Sequence, residues 1–392
     1  MRHLERKAAL EAFLLAYEFL WRPQPFREPE PAWCASHPAL ARELLTADLA
    51  ALEARAADPH ALAAWLAGHF ADLTGLLPLL AVPRHPIQPL PPTASRIDCG
   101  IPGRKRAQIE AYATALGRPA APVLEWCAGK GHLGRLLAAT WSTPVISLEI
   151  DDALCAAGTA LTRHGRVETM QRFVRADALD PANAQHLAGR HALALHACGD
   201  LHRRLITGAV GQASPALDLA PCCYYRTSDE RYRPFTASRL LLNRDDLRLA
   251  VTDTVTASPR LRRMSRRAMA WKLAFQTLAR EVTGQAYHPL KPVPASWLAA
   301  GFETWCRRLA AREGLPLPAH PNWQGLEAAG MRSAERVRRL ELVRLAFRRA
   351  LELWLVVDMA VYLEQSGYRV ELGTFCAPAL TPRNLLLSAR RA

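Results

Sequence analysis

The sequence predicts an α/β protein whose mostly parallel sheet carries helices on both faces, with an N-terminal helical domain and a basic helical insertion. Three observations predict it. Short apolar runs alternate with helical stretches from about 104 to 226. Such alternation implies βαβ crossovers and a parallel sheet. A glycine loop joins the first apolar run to the helix after it, at Gly129-Lys130-Gly131. The whole excess of positive charge lies in one internal segment, residues 231–350.

The elements follow in order. Residues 4–21 place Leu10, Phe13, Leu14, Tyr17 and Leu20 at helical spacing, and two more helical patterns lie near 38–57 and 60–76. Pro78, Pro83, Pro86, Pro89, Pro91 and Pro92 then mark an extended connector, because proline lacks the donor that regular ladders need. A helix over 104–117 precedes strands at 121–126, 145–149, 167–175, 192–196 and 216–219, with helices at 132–140, 151–163 and 200–211 between them. Residues 231–335 break the rhythm, and a long helix over 334–365 restores it. Strands at 368–375 and 384–389, close in sequence, suggest a hairpin-like edge. This organisation reads as a helical domain with linker over 1–95, an α/β domain over 96–230 and 336–392, and a basic insertion over 231–335.

Composition narrows the class. Half of the 392 residues are hydrophobic and 22% are charged, as in ordinary globular proteins. No run approaches the roughly 18–20 apolar residues of a membrane span. Glu11 and Glu18 rule out a signal-peptide core near the start, so a cytoplasmic protein away from membranes is expected. The nine cysteines are odd in number and scattered, which argues against a disulfide framework. Neither Cys-x-x-Cys nor a Cys/His spacing appears, so no metal is expected. The net charge is +14, and residues 231–350 carry 23 Lys+Arg against 9 Asp+Glu, which accounts for all of it. Charge localised in this way attracts a polyanion.

The glycine loop is a Gly-x-Gly-x-x-Gly match, Gly129 to Gly134, that suits either a dinucleotide or S-adenosylmethionine (SAM). Acidic residues decide between them. Glu125 precedes the loop, where a carboxylate can meet the SAM ammonium group directly or through water. Glu149 ends the second strand, placed for both ribose hydroxyls. Asp177 follows the third strand, placed for the adenine amino group. A nicotinamide-dependent oxidoreductase explains Glu149 but leaves Glu125 without a role. The SAM site is therefore expected to use Glu125, Cys127, Ala128, Gly129, Gly131, Glu149, Ile150, Asp177, Ala178, His196, Ala197 and Cys198.

Glu125-x-x-Ala-Gly-Lys-Gly, Leu195-His-Ala-Cys-Gly-Asp-Leu201, Ala220-Pro-Cys-Cys-Tyr224, Thr381-Pro-Arg-Asn384 and the basic Arg104-Lys105-Arg106 carry a family resemblance. The chain resembles methyltransferase domains that include the methyltransferase-like 25 proteins, the glutathione S-transferase C-terminal-domain-containing protein and tRNA 2′-O-methyltransferases. The match covers 104–226 and 366–392 and leaves residues 1–90 and the insertion unexplained. The resemblance implies a Rossmann-like class I methyltransferase fold, SAM binding and methyl transfer. It does not carry a substrate.

In such a fold the ends of strands four and five face the methyl group. Methyl transfer is an in-line displacement, so the enzyme aligns the nucleophile and, for a hydroxyl, removes its proton. His196 is the natural base and Asp200 the second candidate. Cys222 or Cys223 can add to a pyrimidine ring, or simply pack. Tyr224 and Tyr225 can stack on a base or line the sheet end. In the insertion, Arg262, Arg263, Arg266 and Arg267 are the expected phosphate contacts, with Trp271, Trp305 and Trp323 interleaved. RNA is thus the expected partner. Nothing points to DNA or to an oligomeric state. The rival readings are a methyltransferase for a small molecule or protein, the oxidoreductase, and an RNA-binding protein without turnover.

Overall fold

A computed structural model describes residues 1–93, 95–252 and 258–392. The described residues form a seven-stranded sheet: β1 (Val123–Trp126), β2 (Val145–Glu149), β3 (Gln171–Arg175), β4 (His191–Cys198), β5 (Ala216–Cys222), β6 (Tyr368–Thr374) and β7 (Leu385–Arg391). Their order is β3-β2-β1-β4-β5-β7-β6. Neighbours among β1 to β5 run parallel, while β7 runs antiparallel to both β5 and β6. This is the Rossmann-like class I methyltransferase arrangement. The last two strands pair antiparallel at one edge of the sheet, with β7 between β5 and β6.

Burial explains the strands. Every residue of β1, β2 and β5 is buried, as befits parallel strands covered on both faces. The helices Gly103–Leu116 and His132–Trp141 bury Ile109, Tyr112, Leu133 and Leu137 in one core with Val123 and Val145. The strand order reverses at β1 and β4. Chain crossings diverge there and leave a crevice beyond the strand C-termini, where α/β folds bind ligands.

The chain divides into two compact units that cut across the segments expected from sequence. One comprises Met1–Leu15, Gly75–Thr256 and Arg348–Ala392; the other comprises Ala16–Thr74 and Ala257–Phe347. The expected 1–95 domain and 231–335 insertion are therefore not separate bodies. The physical reason lies in the helix Trp323–Leu345. It packs on the helices Pro38–Thr46 and Leu49–Ala56, and the Arg344 Nε donates to the Trp21 carbonyl at 2.8 Å. Within this second unit, Trp271, Phe275, Phe302 and Trp305 build a further core. The expected single helix over 334–365 is broken at Ala346 and Phe347, between Trp323–Leu345 and Arg348–Gln365. Neither glycine nor proline marks that break.

In the first unit, the proline-rich connector runs beside β6. Arg84 forms a bridge with Thr374, and the His85 ring meets the Leu386 carbonyl at 2.9 Å.

Candidate active site

The glycine loop leaves β1 and enters the helix His132–Trp141 with Cys127, Gly129 and Gly131 all at positive φ, between 55° and 61°. The two glycines differ in duty. A Cβ on Gly131 would lie 2.5 Å from Gln171 and Phe173, so that residue is glycine for packing. A Cβ on Gly129 would meet nothing within 4 Å. The backbone there faces open space, as a ligand cradle requires.

Glu125 points away from that open side. Its carboxylate is buried, accepts from the Ser147 hydroxyl at 2.8 Å and also takes the Gly134 N–H. Burial pushes the carboxyl up to about 7, against the bonds to Ser147 and Gly134. A direct contact with a ligand ammonium group is thus replaced by a brace linking β1, β2 and the helix start. Glu149 stands at the loop itself. Its carboxylate accepts the N–H groups of Gly129 at 2.8 Å, Ile150 at 3.0 Å and Asp151 at 3.1 Å. Asp177 lies two residues beyond β3, exposed, with one oxygen accepting from the Leu179 N–H at 2.8 Å. Ile150 and Leu179, at these same strand ends, are 58% and 43% exposed. Two uncovered aliphatic side chains beside the acids suit the faces of a flat ring. Leu179 had no periodic or motif signal in the sequence; only its exposure singles it out. Ala178 beside it is buried. Burial also pushes the Cys127 thiol up to about 12, so it stays protonated.

The ends of β4 and β5 are locked together. A bulge between Leu195 and Ala197 places His196 at φ 65°. Gly199 sits at φ 53°, where a Cβ would collide with the Arg226 carbonyl. Asp200 donates its N–H to that carbonyl at 3.0 Å, and its carboxylate accepts the Ser228 N–H at 2.7 Å. Asp200 therefore clamps the two loops, and its carboxylate already holds a proton donor. Burial pulls the His196 imidazole down to about 4, leaving it neutral and a weaker base than an exposed histidine. Ala197 is buried.

The cysteines come together. Cys198 and Cys222 are register partners with sulfurs 3.3 Å apart, and the three sulfurs of Cys198, Cys222 and Cys223 lie within 4.8 Å of one another. Bonds from Cys198 and Cys222 hold the Cys223 thiol below its ordinary range, while contacts with Cys198 and Cys223, and burial, push the Cys222 thiol up. Sequence spacing did not foretell this cluster, because it forms only when two strands are adjacent. Of the two roles open to Tyr224, its burial favours packing over stacking on a base. It is 1% exposed, with its ring edge-on to His202 at 5.7 Å, so it packs inside and has no face for a substrate base. Tyr225 is half-buried, with the Arg248 guanidinium over its ring.

The basic segment is largely structural. Arg266 pairs with Glu53 at 2.9 Å, and Arg267 donates to the Leu298 carbonyl at 2.7 Å while lying over Trp271. Arg338 also pairs with Glu53, and Arg339 donates to the carbonyls of Leu44 and Ala47. Trp271 and Trp305 are buried, so neither can stack on a base. Arg262 and Arg263 remain exposed, as do Arg260 and Arg332. Arg104 donates to the Leu380 carbonyl and Asn384 to the Cys376 carbonyl. The first bond ties the C-terminal segment to the helix Gly103–Leu116, and the second closes that segment on itself.

Residues 104–230 match the family described as a methyltransferase domain. No curated protein matches the sequence. Among solved structures, the chain is similar to an O-methyltransferase family protein from Burkholderia thailandensis (13% identity, 85% of this chain and 71% of that one, TM-score 0.31). It is also similar to the cyclopropane synthase MmaA2 from Mycobacterium tuberculosis (13% identity, 73% and 82%, TM-score 0.27). A third is the 23S rRNA methyltransferase ErmE (13% identity, 61% and 97%, TM-score 0.25). The matched segment spans the glycine loop, the acids and both chemical loops. The chain is a SAM-dependent methyltransferase, and the nicotinamide reading falls away.

Proposed function

We propose that this methyltransferase acts on RNA. The observation that carries the reading is the placement of the whole net charge of +14 within 231–350, where Arg260, Arg262, Arg263 and Arg332 remain exposed. Exposed guanidinium groups without a competing acidic excess favour phosphate contact.

In this reading Gly129 and its neighbours cradle the methionine end of SAM, with Glu125 bracing the loop from beneath. Glu149 exchanges backbone donors for the ribose hydroxyls, and Ile150 and Leu179 flank the adenine near Asp177. His196 receives the acceptor's proton at the β4 end, while Asp200 keeps the two loops in register.

Two measurements test the proposal. Glu149→Ala removes a charged acceptor, and each such bond contributes roughly 1.5–3 kcal/mol, so SAM affinity should fall about ten- to hundredfold. Calorimetry showing unchanged affinity would move the ribose site elsewhere. Transfer of labelled methyl groups from SAM to fractionated cellular RNA, protein and metabolites identifies the acceptor. Label in protein or metabolites alone would overturn the RNA assignment.

A further inference from the structure

Cys222 and Cys223 are consecutive, and consecutive residues of an extended strand point to opposite faces. Here they do not diverge. Cys223 adopts φ 43°, a left-handed backbone that a residue with a Cβ rarely holds without a reason. The turn after it is closed by the Arg226 N–H on the Cys223 carbonyl at 2.9 Å. On the neighbouring strand the bulge at His196 precedes Cys198, the register partner of Cys222. Two irregular strand ends thus bring three sulfurs within 4.8 Å of one another.

We propose that Cys198, Cys222 and Cys223 form a three-thiolate site for a thiophilic divalent cation of the zinc type. Sulfurs bound tetrahedrally to zinc lie about 2.3 Å from the ion and so about 3.8 Å from each other. The observed separations, 3.3 Å for one pair and none above 4.8 Å, bracket that value. Soft thiolates select zinc-type ions over magnesium or calcium. Cys222 is buried, whereas Cys198 and Cys223 are half-buried, which leaves one side of the cluster open. Three protein ligands with an open fourth position are the pattern of a reactive zinc site, not a closed structural one. The clamp formed by Gly199, Asp200, Arg226 and Ser228 supplies the rigidity such a site needs. The site does not depend on the acceptor being RNA.

The test uses the full chain, purified with a non-thiol reductant and no chelator. Mass spectrometry of metal content is followed by titration of the metal-stripped protein with zinc chloride and cobalt chloride alone. The expected result is stoichiometric zinc and, with cobalt, near-ultraviolet thiolate charge-transfer bands with tetrahedral visible absorption. Cys198→Ser, Cys222→Ser and Cys223→Ser should each weaken zinc binding about tenfold or more, since even outer partners of metal ligands contribute that much. Cys99→Ser, an exposed cysteine outside the cluster, should bind zinc as the native chain does. The absence of zinc binding at micromolar concentration in the native chain overturns the proposal, whatever the variants do. So does undiminished binding in the triple serine variant. SAM calorimetry on the same preparations reports separately on the methyltransferase site.

Discussion

Burial holds the Glu125 carboxyl at about 7 against an ordinary 4.5, so its charge is linked to folding. Between those two values the folded chain keeps a proton that the unfolded chain has released. Stability therefore falls as pH rises through this window, and the penalty is absent below it. A shift of that size corresponds to something on the order of 3 kcal/mol above pH 7. Glu125→Gln keeps the shape and removes the titration. Relative to the native protein, the variant should gain stability from pH 5 to pH 8. Denaturant unfolding at both values checks this, and a constant difference between the two proteins would exclude the linkage. Glu149 makes a contrasting case with the same functional group. Its three backbone donors lie at the loop, so a carboxylate there can meet a ligand.

The helices His3–Ala16 and Arg348–Gln365 are joined by a buried ion pair. Lys7 Nζ lies 2.9 Å from Asp358 Oδ1, with side chains 4% and 0% exposed. Asp358 also accepts the Phe235 N–H at 2.6 Å and the Thr236 N–H at 3.1 Å. Removing one member of such a pair strands the other in a low-dielectric interior and costs about 3–5 kcal/mol. Asp358→Ala should accordingly lower the urea midpoint sharply. The double variant Lys7→Met, Asp358→Leu should recover much of the loss, because an apolar pair of similar volume needs no desolvation of charge. A double variant no more stable than Asp358→Ala would show that the hydrogen bonds, not the charges, tie these helices. The sequence marks both helices by their apolar spacing. It does not mark the break at Ala346 and Phe347, because the apolar pattern continues across it.

For the molecule as a whole, total charge overstates what is available to a polyanion. Arg266, Arg267, Arg338, Arg339 and Arg344 serve carboxylates and carbonyls of their own unit. Replacing Arg266 or Arg267 would disturb packing as well as charge. Arg262→Gln with Arg263→Gln is the cleaner variant. RNA affinity should fall, and the slope of log affinity against log salt should shrink by about 1–2 if both meet phosphate. SAM affinity should not change, because the glycine loop and Glu149 lie on the other compact unit. Paired titrations at two salt concentrations measure both. An unchanged RNA slope would remove these two arginines from the nucleic-acid surface.

The sequence alone determined the alternation of strands and helices, the glycine loop and the acids at successive strand ends. Each is written in local periodicity or in a motif of fixed spacing. Tertiary structure decided which carboxylate is a buried brace and which stands at the open loop, since Glu125 and Glu149 differ only in surroundings. It turned Tyr224 inward and exposed Leu179, because solvent access is set by neighbours distant in sequence. It consumed most of the arginine charge in carbonyl and carboxylate contacts. It also gathered Cys198, Cys222 and Cys223, because adjacency between β4 and β5 exists only once the sheet has formed.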